Sequence, residues 1–353
     1  MCIYYRDRID LNYKSQEHVI PAAIGGILKL PLGFVSDEFN TDFSSLEGEL
    51  IKTSLVSIPR EIEGPGKRGK LADKYATKSK VVLMQDTNDE SRFSLGYIKK
   101  GKSIEIPSLS INETTGKLLI SYDTSDLDFS FDRFSKSLLD QTDENIRTIT
   151  SDNLPIDLIL IGVDEPIENN VTCFVAKNSN NNFQINSLKI KDIASHLNFN
   201  ESTKKKRSYD AIINQSIRFN IEHLRVFAKI AFNYLAYLKG YDFVKLSQFE
   251  SISNYVAKGG QNKFVTFNTT NRIFDKIDIK FPESAHLVFI NKIDSYLVST
   301  VHLYKSIAIN VILSDCFFDS FKMEGMVCDW KNRKEYTFEE YITRFFHENS
   351  IFL

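Results

Sequence analysis

Residues 2–50 read CIYYRDRIDLNYKSQEHVIPAAIGGILKLPLGFVSDEFNTDFSSLEGEL. Within them Glu17-His18-Val19-Ile20 reads as a short strand, Pro21 as its terminator and Gly25-Gly26 as the turn beyond. Asp37, Glu38, Asp42, Glu47 and Glu49 mark an acidic, helix-like stretch, and carboxylates near a helix start suit the helix dipole. Glu47 follows Asn40 by two helical turns and shares its face. Adjacent strand residues face opposite ways, so Glu17 and His18 can serve one site only where the strand twists or ends.

The string Glu17-His18-Val19-Ile20-Pro21, then Gly25-Gly26, then Asn40, resembles the HNH endonuclease superfamily. The match is to the branch in which such a strand precedes a Gly-Gly turn and a helix opening with Asn. It covers residues 2–50 of 353. It implies an N-terminal ββα-metal module and metal-dependent hydrolysis of a phosphodiester in DNA. In that chemistry the cation stabilises charge on the phosphate and leaving oxygen, and an imidazole takes a proton from water. The resemblance makes His18 the general base, Glu17 an acidic metal ligand and Asn40 a carbonyl ligand or orienting amide. Glu47 is a further candidate ligand. Oxygen ligation of this kind suits Mg²⁺ or Mn²⁺ better than Zn²⁺. Stand-alone bacterial proteins of this kind often act in restriction or antiviral defence.

The chain departs from the pattern in two places. Relatives carry two Cys-x-x-Cys knuckles; here they read Cys2-Ile3-Tyr4-Tyr5 and Ser36-Asp37-Glu38-Phe39. One thiolate cannot build a tetrahedral site, so no structural zinc is expected, with Tyr5 and Phe39 packing where metal held the two loops. A module this short without zinc is expected to lean on the rest of the chain. Pro31 stands where many HNH motifs place a middle Asn.

Outward from this stretch the expectation is an α+β protein in four segments: an HNH-like module (1–58), a basic linker or loop (59–80), a mainly β region (81–200) and a helix-plus-strand region (201–353). The runs VVLM, FSLGYI and KLLISY between polar turns read as antiparallel strands, and Leu158–Val163 as a buried one. A long helix is expected over 209–239, with an apolar stripe through Ile217, Ile221, Leu224, Ala228, Ala231, Leu235 and Leu238 and a stop at Gly240. A shorter one ends at Gly259-Gly260, and another spans Phe338–Phe346.

Lys67, Arg68 and Lys70 in the basic segment are expected to touch a nucleic-acid backbone, a solvated linker being the alternative. Gly64–Leu71 fits G-x-x-x-x-G-K, but Leu71 replaces the Ser or Thr and no strand precedes it, which argues against a nucleotide loop. Lys204–Arg207, with Arg218, Arg225 and Lys229 on the outer face of the long helix, reads as a solvated face or a DNA contact. The other histidines show no ligand spacing with each other or with the cysteines.

Lys+Arg 44 against Asp+Glu 46 gives a net charge of −2, which excludes binding by bulk positive charge but not by a local patch. No apolar run reaches the length of a membrane span, and the N-terminus lacks a signal-peptide layout, so a cytoplasmic protein without a membrane partner is expected. The rival to the endonuclease reading is a non-catalytic nucleic-acid- or protein-binding module on a degenerate HNH fold. In either case the C-terminal region is a candidate for a regulatory ligand, a partner protein or self-association.

Overall fold

The computed structural model describes residues 2–122, 129–164, 171–197, 209–210, 220–267 and 279–348. It is a mixed α+β structure of two compact units: residues 1–77 with 216–353, and residues 78–215. The first unit is discontinuous. Segments set apart in the sequence reading, 1–58 and most of 201–353, therefore belong to one body, and the basic segment 59–80 belongs to it as far as Thr77.

In the first unit, residues 17–19 and 28–30 form a minimal hairpin. The Val19 amide donates to Leu28 O at 2.9 Å and the Leu30 amide to Glu17 O at 2.8 Å, with His18 opposite Lys29. The two glycines of the loop are required for different reasons. Gly25 sits at φ +105°, and a β-carbon on it would lie 2.5 Å from Trp330 Cβ; one on Gly26 would lie 1.9 Å from Ile20 O. Helix α1 (Asp37–Thr53) follows, its N-cap Ser36 accepting from the Phe39 amide at 3.2 Å. Helix α2 (Ser57–Glu63) then opens the segment expected as a linker or loop.

The second unit begins with β1 (Val82–Asp86), β2 (Asp89–Lys99), β3 (Lys102–Glu105), β4 (Ser108–Asn112) and β5 (Leu118–Ser121). It continues through α3 (Phe131–Leu139), β6 (Ile146–Thr150), β7 (Leu158–Asp164), β8 (Thr172–Lys177), α4 (Ser187–Ser195) and β9 (Tyr209–Asp210). Among the described residues these give a four-stranded sheet, β3-β2-β1-β9, and a five-stranded one, β5-β4-β7-β8-β6. Pairing is antiparallel except between β6 and β8. The Asn-rich stretch Asn178–Asn182 is a structural loop: Asn181 donates to Glu113 Oε2 at 2.7 Å and to Ile156 O at 2.6 Å.

The chain then returns to the first unit with α5 (Leu224–Lys239), α6 (Tyr241–Val244) and α7 (Glu250–Lys258). Strands β10 (Val265–Phe267), β11 (His286–Ile293), β12 (Tyr296–Leu303), β13 (Ile307–Ser314), β14 (Glu324–Asp329) and β15 (Lys334–Thr337) follow, and α8 (Phe338–Glu348) comes last. The strands form one antiparallel sheet, β10-β13-β12-β11-β14-β15. The long helix expected over 209–239 is observed from Leu224, with Tyr209 and Asp210 in a strand and 211–219 outside the described residues. It ends as expected at Gly240, where φ is +83°.

Helix α5 is buried around its circumference from Leu224 to Ala236, Arg225 excepted, because it lies between the sheet and the N-terminal segment. One hydrophobic cluster runs from Ile3, Val19, Ile20 and Phe39 through Phe227, Ile230 and Phe232 to Val301 and Ile309. Polar ties join the same parts. Arg6 caps the end of α6 through Val244 O and Lys245 O, and Glu335 accepts from the Ile27 and Leu28 amides. Fully buried His286 donates from Nε2 to Ile24 O at 2.8 Å and accepts the Tyr304 amide on Nδ1 at 3.0 Å. The hairpin and α1 are held to the rest of the unit by this shared core.

Among the described residues, no helix is long and apolar enough to cross a membrane.

Candidate functional site: a carboxylate pair closed by a lysine

The positions corresponding to the knuckles meet. Cys2 Sγ accepts from the Ser36 amide at 3.5 Å and from the Tyr4 amide at 3.4 Å. Phe39 stacks on Tyr4 at 4.1 Å and receives Tyr5 edge-on at 5.5 Å. Both loops are thus joined by aromatic packing and weak N–H···S bonds.

Glu17 and Glu47, from the hairpin and from α1, converge on a residue that the sequence reading assigned elsewhere. Lys229 Nζ lies 2.5 Å from Glu17 Oε1 and 2.6 Å from Glu47 Oε1. Its side chain is only 3% exposed, and the ammonium lies 5.9 and 5.1 Å from the ring centroids of Phe39 and Phe43. One helical turn on, Asn233 accepts the Tyr4 hydroxyl at 2.6 Å and donates to His18 O at 3.0 Å. Residues four apart share a helix face, so α5 presents Lys229 and Asn233 together to the N-terminal segment. Arg225, 15% exposed, is also inward: it donates to Val256 O and Ala257 O and pairs with Glu222. The outer basic face expected on this helix is therefore corrected at both positions. Arg218 and Lys204–Arg207 lie outside the described residues.

Electrostatics follow from this burial. Desolvation alone would push the Lys229 ammonium down, but Glu47 and Glu17 more than reverse it, so its affinity for the proton is raised. Burial also raises the Glu47 carboxyl, opposed by Lys229 and reinforced by Glu17. Tyr4 is pushed well up by burial and then by Glu17.

His18 is half-buried, and strand alternation sets it on the opposite face from Glu17, beside Lys29. Burial and then Lys29, Lys229 and Arg333 lower its pKa, with Glu47 opposing, so the imidazole is neutral at pH 7. Asn40 lies in the first turns of α1, on the face of Glu47 but about 10 Å along the axis. Its buried Oδ1 has no partner, and it bonds neither Glu17 nor Glu47. The structure therefore brings Glu17 and Glu47 together on Lys229, keeps His18 within their field and leaves Asn40 apart.

As a test of Mg²⁺ or Mn²⁺, the donors do not fit as they stand. Each carboxylate has one oxygen on the ammonium, and among the described residues no three His, Cys, Asp or Glu side chains are grouped to hold a metal.

Two exposed cations act on His18 from separate segments. Lys29 is on the hairpin, and Arg333, on the β14–β15 turn, reaches Gly69 O with Nη1 at 3.4 Å. The loop bearing Arg68 and Lys70 packs on the hairpin turn: a β-carbon on Gly69 would lie 2.4 Å from Ala22 O. Arg68, Lys70, Lys29 and Arg333 are exposed, Lys70 lying over the Tyr75 ring at 4.0 Å; the Lys67 side chain is outside the described residues. No strand precedes this loop, since α2 does, so it is not a nucleotide loop. Sequence reasoning missed Arg333 and Asn233, and it placed Lys229 on an outer face. Their signal was faint: an Arg in a turn, and two polar residues four apart in an apolar helix.

The second unit holds a cleft of about 330 Å³ lined by residues such as Leu83, Gln85, Phe93, Thr150 and Asp152, and none of the expected site residues lies in it. No protein family, characterised protein or solved structure matches the chain.

Proposed function

We propose that the first unit binds the phosphate backbone of DNA on the face that carries His18, using a hairpin-and-helix scaffold of HNH type. The observation that carries this reading is that exposed Lys29 and Arg333, from two separate segments, act on one half-open imidazole, Arg333 also holding the loop that bears Arg68 and Lys70. Exposed cations from separate segments on one face suit a chain of phosphates, even though the whole protein is nearly neutral. Exposed Lys and Arg side chains set affinity and salt dependence, while His18, uncharged at neutral pH, supplies a hydrogen-bonding ring at the centre. Lys229 offsets part of the charge of the carboxylates beneath and so lessens their repulsion of the strand.

A second reading, metal-dependent hydrolysis with His18 activating water, is favoured by the neutral imidazole. It requires Lys229 to leave Glu17 and Glu47.

Fluorescence anisotropy with labelled duplex DNA across a salt series tests the first reading. Wild type is expected to bind with a steep salt slope, and Lys29→Ala with Arg333→Ala to weaken binding and flatten it. Salt-independent binding, or none, would remove the proposal. A plasmid-nicking assay with Mg²⁺ or Mn²⁺, wild type beside His18→Ala, decides the second: nicking that the variant lacks would establish an enzyme.

A further inference from the structure

We infer that the ε-ammonium of Lys229 is the resident cation of the Glu17–Glu47 cradle, so that the wild-type site takes no divalent metal and removal of the ammonium opens one. The inference rests on reading residues 17–47 as an HNH-type scaffold.

Two carboxylates from different elements point at one atom, 2.5 and 2.6 Å away. Two like charges brought so close in a buried place need a cation between them. The chain supplies it from a helix more than 180 residues further on in sequence. The ammonium has little freedom to leave. Its side chain is 3% exposed, its backbone lies in a helix buried on every side, and Phe39 and Phe43 flank the head at cation–π distance. A divalent ion would have to drive it into apolar core, against the cost of an unpaired buried charge. One positive charge against two carboxylates leaves the pair undercompensated. Asn233, one turn on, holds the His18 carbonyl, so the helix that brings the cation also positions the strand bearing the imidazole. The lysine thus does two jobs of a metal: it offsets carboxylate charge and fixes hairpin to helix.

The test is a Mn²⁺ titration of the full chain, with free ion read by electron paramagnetic resonance and Mn²⁺-dependent melting recorded on the same samples. Wild type is expected to show no stoichiometric site and no change in Tm. Lys229→Ala is expected to bind one Mn²⁺ at least 100-fold more tightly than wild type and to melt higher with Mn²⁺. Adding Glu17→Gln should reverse the gain at least tenfold. Lys229→Gln, one atom shorter but uncharged and still a hydrogen-bond donor, serves if the alanine variant does not fold, and must show the same gain. A stoichiometric wild-type Mn²⁺ site that Glu17→Gln weakens overturns the inference, as does a folded Lys229 variant without a site. Anisotropy on the same proteins separates the two claims. Wild type that ignores DNA while Lys229→Ala gains Mn²⁺ defeats the DNA reading alone; DNA binding without that gain defeats this inference alone.

Discussion

His286 offers a quantitative test of how the loop carrying the glycine pair is held to the sheet. Its ring is fully buried, donates to Ile24 O and accepts from the Tyr304 amide, so it must be neutral in the folded protein. Burial depresses its pKa from 6.5 to about 4, the bond to Ile24 opposing. Between those values the unfolded chain binds a proton that the folded one does not, so stability is complete above about 6.5 and is lost as pH falls towards 4. At about 1.36 kcal/mol per pH unit the loss is ~3 kcal/mol, as an order of magnitude. His286→Phe keeps a ring but abandons both hydrogen bonds, which should cost about 2–3 kcal/mol at pH 7. The variant cannot be protonated there, so its deficit should shrink by about 3 kcal/mol, to near zero, by pH 4. Urea unfolding of both proteins at pH 7 and pH 4 measures this, and carboxylate effects common to the two cancel in the difference. A gap between wild type and variant that stays constant over that range would refute the argument.

Other expectations follow from the same core. Lys229→Met leaves two buried carboxylates uncompensated and should cost about 3–5 kcal/mol at pH 8, or roughly 6–20 °C in Tm for a unit of this size. Those carboxyls would then titrate above their unfolded values, so the variant should regain stability as pH falls, as thermal melts at pH 8 and 5 would show. Gly26→Ala forces a methyl against Ile20 O and should cost at least about 2 kcal/mol in chemical denaturation. If Arg333 contacts a phosphate, Arg333→Ala should lower the log–log salt slope of DNA binding by about 1, whatever the duplex sequence.

Some of this architecture could be read locally. Short apolar runs between polar turns yielded the strands of 82–121, the run Leu158–Val163 its buried strand, and glycines at 240 and 259 the helix ends. Local signals work there because strand alternation, turn geometry and left-handed caps depend on neighbours in sequence. The site was legible in part. Glu17, His18 and Glu47 were picked out by type and spacing, and Glu17 with Glu47 do share one centre. Asn40 was picked out by the same logic, yet it bonds to neither.

By itself, then, the sequence determined an α+β chain, a short strand with a Gly-Gly turn beyond it and an acidic helix after that. Tertiary structure decided what the carboxylates hold. A lysine in a helix looks solvated when one face is presumed to meet water, but α5 has no such face over most of its length because sheet and N-terminal segment cover it on both sides. Contacts between residues 17, 47 and 229 span separations of 182 and 212 residues, where no local preference acts. Only the packing of the whole unit could put a cation between them.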